Sequence, residues 1–163
     1  MTIRVLFVCL GNICRSPTAH GIFQGKVERA GLSEQIIIDS AGTGDWHIGH
    51  APDKRAQASA LQRGYDMSEL RARQVSVADF SRYDYVLAMD QKNLEDLRAM
   101  KPDDYQGTLD LFLSAAGIEA SQEVPDPYYE GDDHFDKVFD LIEQASDQLL
   151  CVLQTRHLLS SAK

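Results

Sequence analysis

The chain has 163 residues, 44% of them hydrophobic and 25% charged, which is typical of one globular domain. Its net charge of −9 argues against a nucleic-acid partner, because phosphate binding needs a basic face. The longest apolar run, residues 5–10, is far shorter than the ~20 residues of a membrane-spanning helix. We therefore expect one domain over residues 1–163, cytoplasmic and mainly monomeric with at most weak self-association, and with no membrane or nucleic-acid partner.

The first half of the chain alternates between strand and helix patterns. In chain order we predict a strand at 3–8, a helix at 16–30, a strand at 36–38, a glycine-rich loop at 40–49 and a helix at 53–63. The first strand is an apolar, β-branched run typical of a buried parallel strand. The first helix begins with Ser16 as its predicted N-cap and Pro17 at the first helical position.

The second half continues the alternation. It contains a predicted short helix at 76–80, a strand at 83–89, a helix at 90–100, a strand at 109–113 and a long amphipathic helix that includes 135–153. Asp90 is the expected cap of the helix that follows it. Strands that alternate with helices predict an α/β fold with a parallel sheet and helices on both faces. Ligands of such sheets bind at the carboxyl ends of the strands, which directs attention to the first strand–loop–helix junction.

That junction carries Cys9, then five residues, then Arg15 and Ser16. A short loop between a strand and a helix can direct its backbone N–H groups inward, and with the helix N-terminus this makes an anion site suited to phosphate. Gly11 would permit a left-handed or closely approached turn. Arg15 would grip two phosphate oxygens, and Cys9 would lie where a thiolate is favoured over a thiol. The spacing by itself is weak, since Cys9 is equally a small buried residue at a strand end.

A phosphocysteine mechanism also needs a proton donor for the leaving oxygen. Asp126 is the best candidate in the chain, because it lies between Pro125 and Pro127 in a loop that enters the last helix. The alternative is an ordinary turn aspartate flanked by prolines. Sequence position alone leaves that alternative open.

Two segments carry a resemblance to a known family. Residues 8–17 read Val-Cys-Leu-Gly-Asn-Ile-Cys-Arg-Ser-Pro, and a later motif reads Asp126-Pro127-Tyr128. Together they closely resemble the low-molecular-weight protein tyrosine phosphatases. The likeness extends over essentially the whole chain, through Asp39-Ser40-Ala41-Gly42-Thr43, Trp46, Ala72-Arg73-Gln74, Met89-Asp90 and Asn93-Leu94.

The resemblance implies a four-stranded parallel sheet of order 2-1-3-4, with the phosphate-binding loop after strand 1. It implies hydrolysis of phosphotyrosine and other aryl phosphate monoesters, with Cys9 as nucleophile, Arg15 as phosphate clamp and Asp126 as acid and then base. No metal or cofactor is expected. Partners would be phosphotyrosine proteins or peptides, with phosphate, vanadate or sulfate as site ligands. The phosphate-binding residues would be Leu10, Gly11, Asn12, Ile13, Cys14, Arg15 and Ser16.

The family pattern also assigns supporting roles around this loop. Ser16 would stabilise the leaving thiolate through its hydroxyl, and Asn12 would shape the loop while paired with Ser40. Many family members carry a histidine where this chain has Leu70, and leucine cannot donate the corresponding hydrogen bond. We therefore expect Asn12 to be held differently here, with an effect on rate and loop rigidity.

The family pattern assigns the walls of the cleft to aromatic residues. Trp46 and Tyr128 would flank the substrate ring, with Tyr129 beside Tyr128. A phosphoserine side chain is too short to reach these walls and the nucleophile at the same time. The alternative for Trp46 is a half-buried core aromatic. Tyr128 and Tyr129 are also candidates for phosphorylation, although wall residues are the simpler account.

The three cysteines do not suggest a disulfide framework, because their number is odd. In relatives with a second loop cysteine, the pair can close into a reversible disulfide, which would make Cys14 a redox partner of Cys9. A passive packing thiol is an equally good interpretation of Cys14. We expect Cys151 to lie in the core.

Other motifs are weaker. His47 and His50 have no matching carboxylate or cysteine pair for a metal, so solvated loop histidines are expected, and His20 has no evident partner. A thioredoxin-coupled arsenate reductase shares the fold but needs relay cysteines, and residues 89–122 contain none. A phosphocysteine sugar-transport subunit would not need Asp126, and a phosphopeptide-binding module would have lost the nucleophile or the acid.

Overall fold

A computed structural model describes residues 2–118, 123–127, 132–157 and 159. Its four strands are β1 (Ile3–Cys9), β2 (Ile36–Gly42), β3 (Tyr85–Ala88) and β4 (Thr108–Leu111). All neighbouring strands pair in parallel, in the order β2-β1-β3-β4. The predicted α/β fold and strand order are therefore confirmed.

Over the residues that the structure describes, six helices connect and cover the strands. They are α1 (Arg15–Arg29), α2 (Lys54–Gln62), α3 (Asp79–Arg82), α4 (Gln91–Met100), α5 (Phe112–Ala115) and α6 (Asp132–His157). The predicted cap of α4 is confirmed, since Asp90 accepts a bond from the Asn93 N–H, and Asp53 caps α2 by accepting one from the Arg55 N–H. None of the helices over the described residues is long and apolar enough to cross a bilayer.

Alternate side chains of β1 enter two different cores, which explains why the strand is apolar from Val5 onward, after the exposed Arg4. Phe7 packs with α1 and α5, its ring lying 5.7 Å from that of Phe23 and 4.9 Å from that of Phe112. Leu6 and Val8 point to the other face, where they join a cluster with side chains of α3 and α4. The predicted cover of helices on both faces is confirmed, and the buried residues 5–9 hold the carboxyl end of β1 in a fixed position.

Three local expectations are wrong. The predicted strand at 109–113 ends at Leu111, and Phe112 and Leu113 begin α5 instead, because a short apolar run does not distinguish strand from buried helix. The glycine-rich loop begins later than expected, since β2 continues to Gly42 beside β1. Cys151 is exposed on α6, whereas the sequence placed it in the core.

Candidate active site

The loop that connects β1 to α1, residues 9–16, is here called the cysteine loop. Its two first carbonyls are bonded by the chain beyond β2: the Thr43 N–H donates to the Cys9 oxygen at 2.9 Å and the Gly44 N–H to the Leu10 oxygen at 2.8 Å. Gly42 lies so close that an added Cβ would stand 2.7 Å from the Leu10 oxygen. The cysteine loop is thus fastened to the sheet at the carboxyl ends of its two first strands.

Asn12 makes the turn of the cysteine loop, with a left-handed φ of 56° that non-glycine residues rarely adopt. Its side-chain Nδ2 donates to the Ser16 hydroxyl at 2.7 Å, and its side-chain Oδ1 accepts from the Arg73 N–H at 3.0 Å. Of the two roles expected for Gly11, the left-handed turn lies at Asn12 instead. Gly11 has the other role, the close approach, because a Cβ there would lie 3.0 Å from the His47 ring.

The expected pairing of Asn12 with Ser40 is also corrected. The Ser40 hydroxyl bonds the Nδ1 atom of His20 at 3.0 Å, and Asn12 is already occupied by Ser16 and Arg73. Ser40 thus lies behind the cysteine loop without bonding its asparagine. The partner of His20 could not be read from the sequence, because the two residues belong to different elements, α1 and β2.

Hydrogen-bonding groups converge on the sulfur of Cys9, a side chain that is only 3% exposed. The Asn12 N–H donates to Sγ at 3.3 Å, and the Ser16 hydroxyl lies 3.0 Å from Sγ. Ser16 was predicted to cap α1, but the N-cap is Cys14 and the Ser16 hydroxyl faces the sulfur and the Ala41 carbonyl. This arrangement suits a sulfur that carries negative charge, because N–H and O–H groups can donate to it.

Arg15 is almost fully buried and is held by acidic and carbonyl groups from distant segments. Nη1 donates to Asp90 at 2.6 Å and to the Val124 carbonyl at 3.1 Å, and Nη2 lies 3.5 Å from an oxygen of Asp126. Burial lowers the pKa of Arg15, but the charges of Cys9, Asp90 and Asp126 and the hydrogen bond to Asp90 outweigh it and raise the pKa. The guanidinium therefore stays charged.

Asp90 serves two purposes at once. Its Oδ1 accepts from the Asn93 N–H at 2.8 Å and caps α4, while Oδ2 accepts from Arg15. The sequence indicated the cap but not the ion pair. The place of Asp90, just after β3 and beside β1 in the sheet, is the signal that could have found it, since carboxyl ends of parallel strands meet at one edge.

A cleft of about 370 Å³ opens above the sulfur. Trp46 stands at its edge with 67% of its surface exposed, so the core alternative for Trp46 is wrong. Asp126 reaches the cleft from the segment before α6, and Tyr128 and Tyr129 lie outside the described residues. His47 was not expected among the lining residues, which are Cys9, Leu10, Gly11, Ile13, Cys14, Arg15, Trp46, His47 and Asp126. Over the described ranges, no three His, Cys, Asp or Glu side chains form a group that could hold a metal.

Cys14 lines the same cleft as Cys9 and is buried. Burial raises the pKa of its thiol strongly, and the nearby charges of Asp53, Cys9 and Asp126 add to the effect. Cys14 therefore stays a protonated thiol while Cys9 lies among hydrogen-bond donors. Within one loop, one sulfur thus accepts hydrogen bonds and the other is buried as a neutral thiol.

A larger cavity of about 850 Å³ lies at the opposite, amino ends of the strands. Its polar groups bond one another: the Tyr85 hydroxyl accepts from Arg156 at 3.2 Å and lies 2.8 Å from Nε2 of His157, and Tyr105 donates to the Tyr83 carbonyl. Because parallel sheets bind ligands at their carboxyl ends, the smaller cleft at the cysteine loop is the candidate active site.

The family model described as low molecular weight phosphotyrosine protein phosphatase matches residues 4–158. The chain belongs to this family. It is a protein tyrosine phosphatase, and its α/β fold is that of the family's solved members. The resemblance stated from the sequence is thereby confirmed.

Individual phosphatases cover most of the chain. The low molecular weight phosphotyrosine protein phosphatase of Schizosaccharomyces pombe is 46% identical over 134 residues, covering 82% of this chain and 85% of its own. The crystal structure of YfkJ from Bacillus subtilis matches with a TM-score of 0.89 and 40% identity, covering 96% and 97% of the two chains. A tyrosine phosphatase from Entamoeba histolytica, with Hepes in its active site, matches with a TM-score of 0.88 and 35% identity, covering 97% and 100%.

Proposed function

We propose that the chain hydrolyses phosphotyrosine and other aryl phosphate monoesters through a phosphocysteine intermediate, with Cys9 as nucleophile, Arg15 as phosphate clamp and Asp126 as general acid and base. The observation that carries this proposal is the convergence on the Cys9 sulfur, where the Asn12 N–H lies at 3.3 Å and the Ser16 hydroxyl at 3.0 Å. Such donors favour an anionic sulfur at the floor of a cleft that also contains Arg15.

In the first step the Cys9 thiolate attacks phosphorus, and the bond from phosphorus to the aryl oxygen breaks. Protonated Asp126 transfers its proton to the leaving oxygen, so that a neutral phenol departs and a carboxylate remains. Arg15 would bind two of the phosphoryl oxygens with its planar guanidinium and follow them into the transition state. The 2.6 Å bond to Asp90 supports this role, because it fixes the plane of the guanidinium before substrate arrives.

In the second step the Asp126 carboxylate takes a proton from water while the water oxygen attacks phosphorus. The phosphorus–sulfur bond breaks, phosphate leaves and Cys9 returns as thiolate. The Ser16 hydroxyl, 3.0 Å from the sulfur, would donate to the departing thiolate. The backbone N–H groups of residues 10–16 would hold the phosphate oxygens in both steps.

The cleft favours aryl over alkyl phosphates. Trp46 at the edge offers an aromatic face for the substrate ring, and Ile13 adds an apolar side chain to the lining. Tyr128 and Tyr129 would complete the wall. We propose phosphotyrosine proteins or peptides as substrates, phosphate, vanadate and sulfate as competing site ligands, and a mainly monomeric protein. A catalytic thiol needs a reducing compartment, which supports a cytoplasmic location.

The test compares Cys9→Ser with the matched control Cys151→Ser, which changes an exposed cysteine on α6. Cys9→Ser should lose p-nitrophenyl phosphate turnover and still bind phosphate, whereas Cys151→Ser should keep wild-type turnover. Vanadate should inhibit competitively, EDTA should have no effect, and the pH profile should be bell-shaped with a mildly acidic optimum. Turnover by Cys9→Ser, or reduction of arsenate in a parallel assay, would contradict the proposal.

A further inference from the structure

A charged cluster outside the cleft lies against the cysteine loop. The Arg73 guanidinium donates to both oxygens of Asp79 at 3.0 Å and, through Nε, to Asp39 at 3.1 Å. The Asp79 side chain is 0% exposed and also accepts from the Ser76 N–H at 2.8 Å. A buried carboxylate with this many donors holds its arginine in one position, since planar bidentate pairs fix geometry as well as charge.

The backbone of the same arginine is bonded to the active-site loop. The Arg73 carbonyl accepts from the Gly42 N–H at 2.9 Å, and the Val75 N–H donates to the Gly42 carbonyl at 2.8 Å. The Arg73 N–H points the other way and donates to the Asn12 side chain at 3.0 Å. The segment 73–75 therefore lies along the end of β2 and presents one N–H group to the cysteine loop.

Few bonds separate this cluster from the nucleophile. Asn12, which receives the Arg73 N–H, donates its own N–H to the Cys9 sulfur and its side-chain amide to Ser16. The left-handed φ of Asn12 is costly for a non-glycine residue and needs surrounding bonds to hold it. Many family members have a histidine at position 70, but the leucine of this chain has no side-chain donor. The side chain of Asn12 accepts a hydrogen bond from the Arg73 N–H.

We propose that Arg73 and Asp79 are positioning residues for the cysteine loop: their ion pair fixes the Arg73 N–H that orients Asn12, and through Asn12 it sets the donors around the Cys9 sulfur. The inference rests on the proposed function, because it assumes that Cys9 is the nucleophile. Neither residue lines the cleft, so neither touches substrate. Their effect reaches the reaction through the loop alone.

The experiment replaces Arg73 by methionine and by lysine in a Cys151→Ser background, which leaves Cys9 and the protonated Cys14 as the two thiols. We expect Arg73→Met to lower kcat by about 10-fold to 100-fold, the cost of a small misplacement of reacting groups, with KM changed less than about 2-fold. Alkylation of Cys9 by iodoacetate should require a higher pH than in the parent. Arg73→Lys keeps the charge without the bidentate guanidinium, so its kcat and alkylation profile should lie between those of the parent and those of Arg73→Met.

Arg63→Met is the matched control for loss of a partly buried ion pair. Arg63 bonds Asp140 and Glu143 between α2 and α6, and its side chain is 25% exposed against 33% for Arg73. The control should keep the parental kcat and alkylation profile even if its resistance to urea falls. Asp79→Asn should reproduce the Arg73→Met profile, since it removes the other member of the pair while keeping its size.

The outcomes separate the positioning role from a purely structural one. If folded Arg73→Met, or Arg73→Lys where the methionine variant does not fold, alkylates at the parental pH with parental kcat per folded molecule, the proposal is wrong. Alkylation does not depend on turnover, so it still reports on the loop if the parent fails to hydrolyse p-nitrophenyl phosphate. In that case the proposed function fails, and the alkylation profiles alone decide whether Arg73 positions the sulfur.

Discussion

The two walls of the active-site cleft are built differently. The cysteine loop is bonded to the sheet, and its side chains Cys9 and Arg15 are each 3% exposed. The other part of the lining, here called the open wall, includes Trp46, 67% exposed, and Asp126, whose side chain is 35% exposed. One wall is thus fixed before substrate binds, and the other is open to solvent. On the proposed mechanism, phosphoryl transfer takes place at the cysteine loop, here called the rigid wall, and leaving-group protonation and ring recognition take place at the open wall.

The sharpest test of this division is Asp126→Asn on the open wall. It should lower kcat by about 10²-fold to 10⁴-fold, because the amide cannot protonate the leaving oxygen. The loss in kcat/KM, which reports phosphoryl transfer to Cys9, should be larger for phenyl phosphate than for p-nitrophenyl phosphate, whose leaving group departs readily without a proton. Steady-state kinetics with both esters provides the measurement.

Glu123→Gln is the control for Asp126→Asn, since it removes a carboxylate from the same segment. Glu123 is exposed and accepts from the Gln91 N–H, and it does not line the cleft. Its kcat should stay near that of the wild type. Equal losses in the two variants, or the same loss for both esters, would assign the effect of Asp126 to general electrostatics.

The second test concerns the two cysteines of the rigid wall. Peroxide oxidises the Cys9 thiolate to a sulfenic acid, and the protonated Cys14 thiol can then condense with it to a disulfide and release water. Dithiothreitol should restore activity to the peroxide-treated wild type. In Cys14→Ser, excess peroxide oxidises the Cys9 sulfenic acid further to the sulfinic acid. Dithiothreitol does not reduce a sulfinic acid, so most of the activity should be lost irreversibly.

Recovery of p-nitrophenyl phosphate turnover after reduction measures this difference. Cys151→Ser should recover like the wild type, because its cysteine lies on the exposed side of α6. Equal recovery of Cys14→Ser would show that Cys14 is only a packing thiol. The redox prediction also sharpens the comparison of the walls, since Cys9 and Cys14 both belong to the rigid wall and line the same cleft.

The third test replaces the aromatic edge. Trp46→Ala should raise KM for an aryl phosphate by about 3-fold to 10-fold through loss of ring stacking, with kcat nearly unchanged. Ile48→Ala is the control, since Ile48 is 55% exposed in the same loop but does not line the cleft. Kinetics on a phosphotyrosine peptide would detect the change. A fall in kcat with constant KM would instead place Trp46 among the groups that act in the transition state.

The rigid wall is also the part of the site that was most predictable from the sequence. Cys9 and Arg15 belong to one short loop between a strand and a helix, so a local sequence pattern is enough to place both in one site. The ion pair of Arg15 with Asp90 and the support of Asn12 by Arg73 join segments that are 75 and 61 residues apart. Such contacts depend on how the sheet is assembled, which periodicity does not reveal. The change from β4 to α5 was missed for the same reason, since packing decides the state of a short apolar run.

The smallest expected effect lies behind the rigid wall, at His20. Burial lowers the pKa of His20, with a further lowering by Arg73 and an opposing effect of Asp39. The unfolded chain therefore binds a proton at higher pH than the folded one, so the folded state loses stability as pH falls below about 6.5. His20→Gln should weaken this loss, measured by urea unfolding at pH 7.5 and 5.5.

At neutral pH, His20→Gln should change kcat by less than about 2-fold, because Ser40 and His20 bond each other and neither bonds the Cys9 sulfur, Asn12 or Arg15. His50→Gln, in an exposed loop, is the control for the change of histidine to glutamine itself. A loss of kcat in His20→Gln comparable to that of Arg73→Met would show that the residues supporting the cysteine loop include His20 on α1. Unchanged kcat would show that the network supporting the nucleophile stops at Asn12, where the segment 73–75 adds to the bonds that residues 43 and 44 make to the cysteine loop.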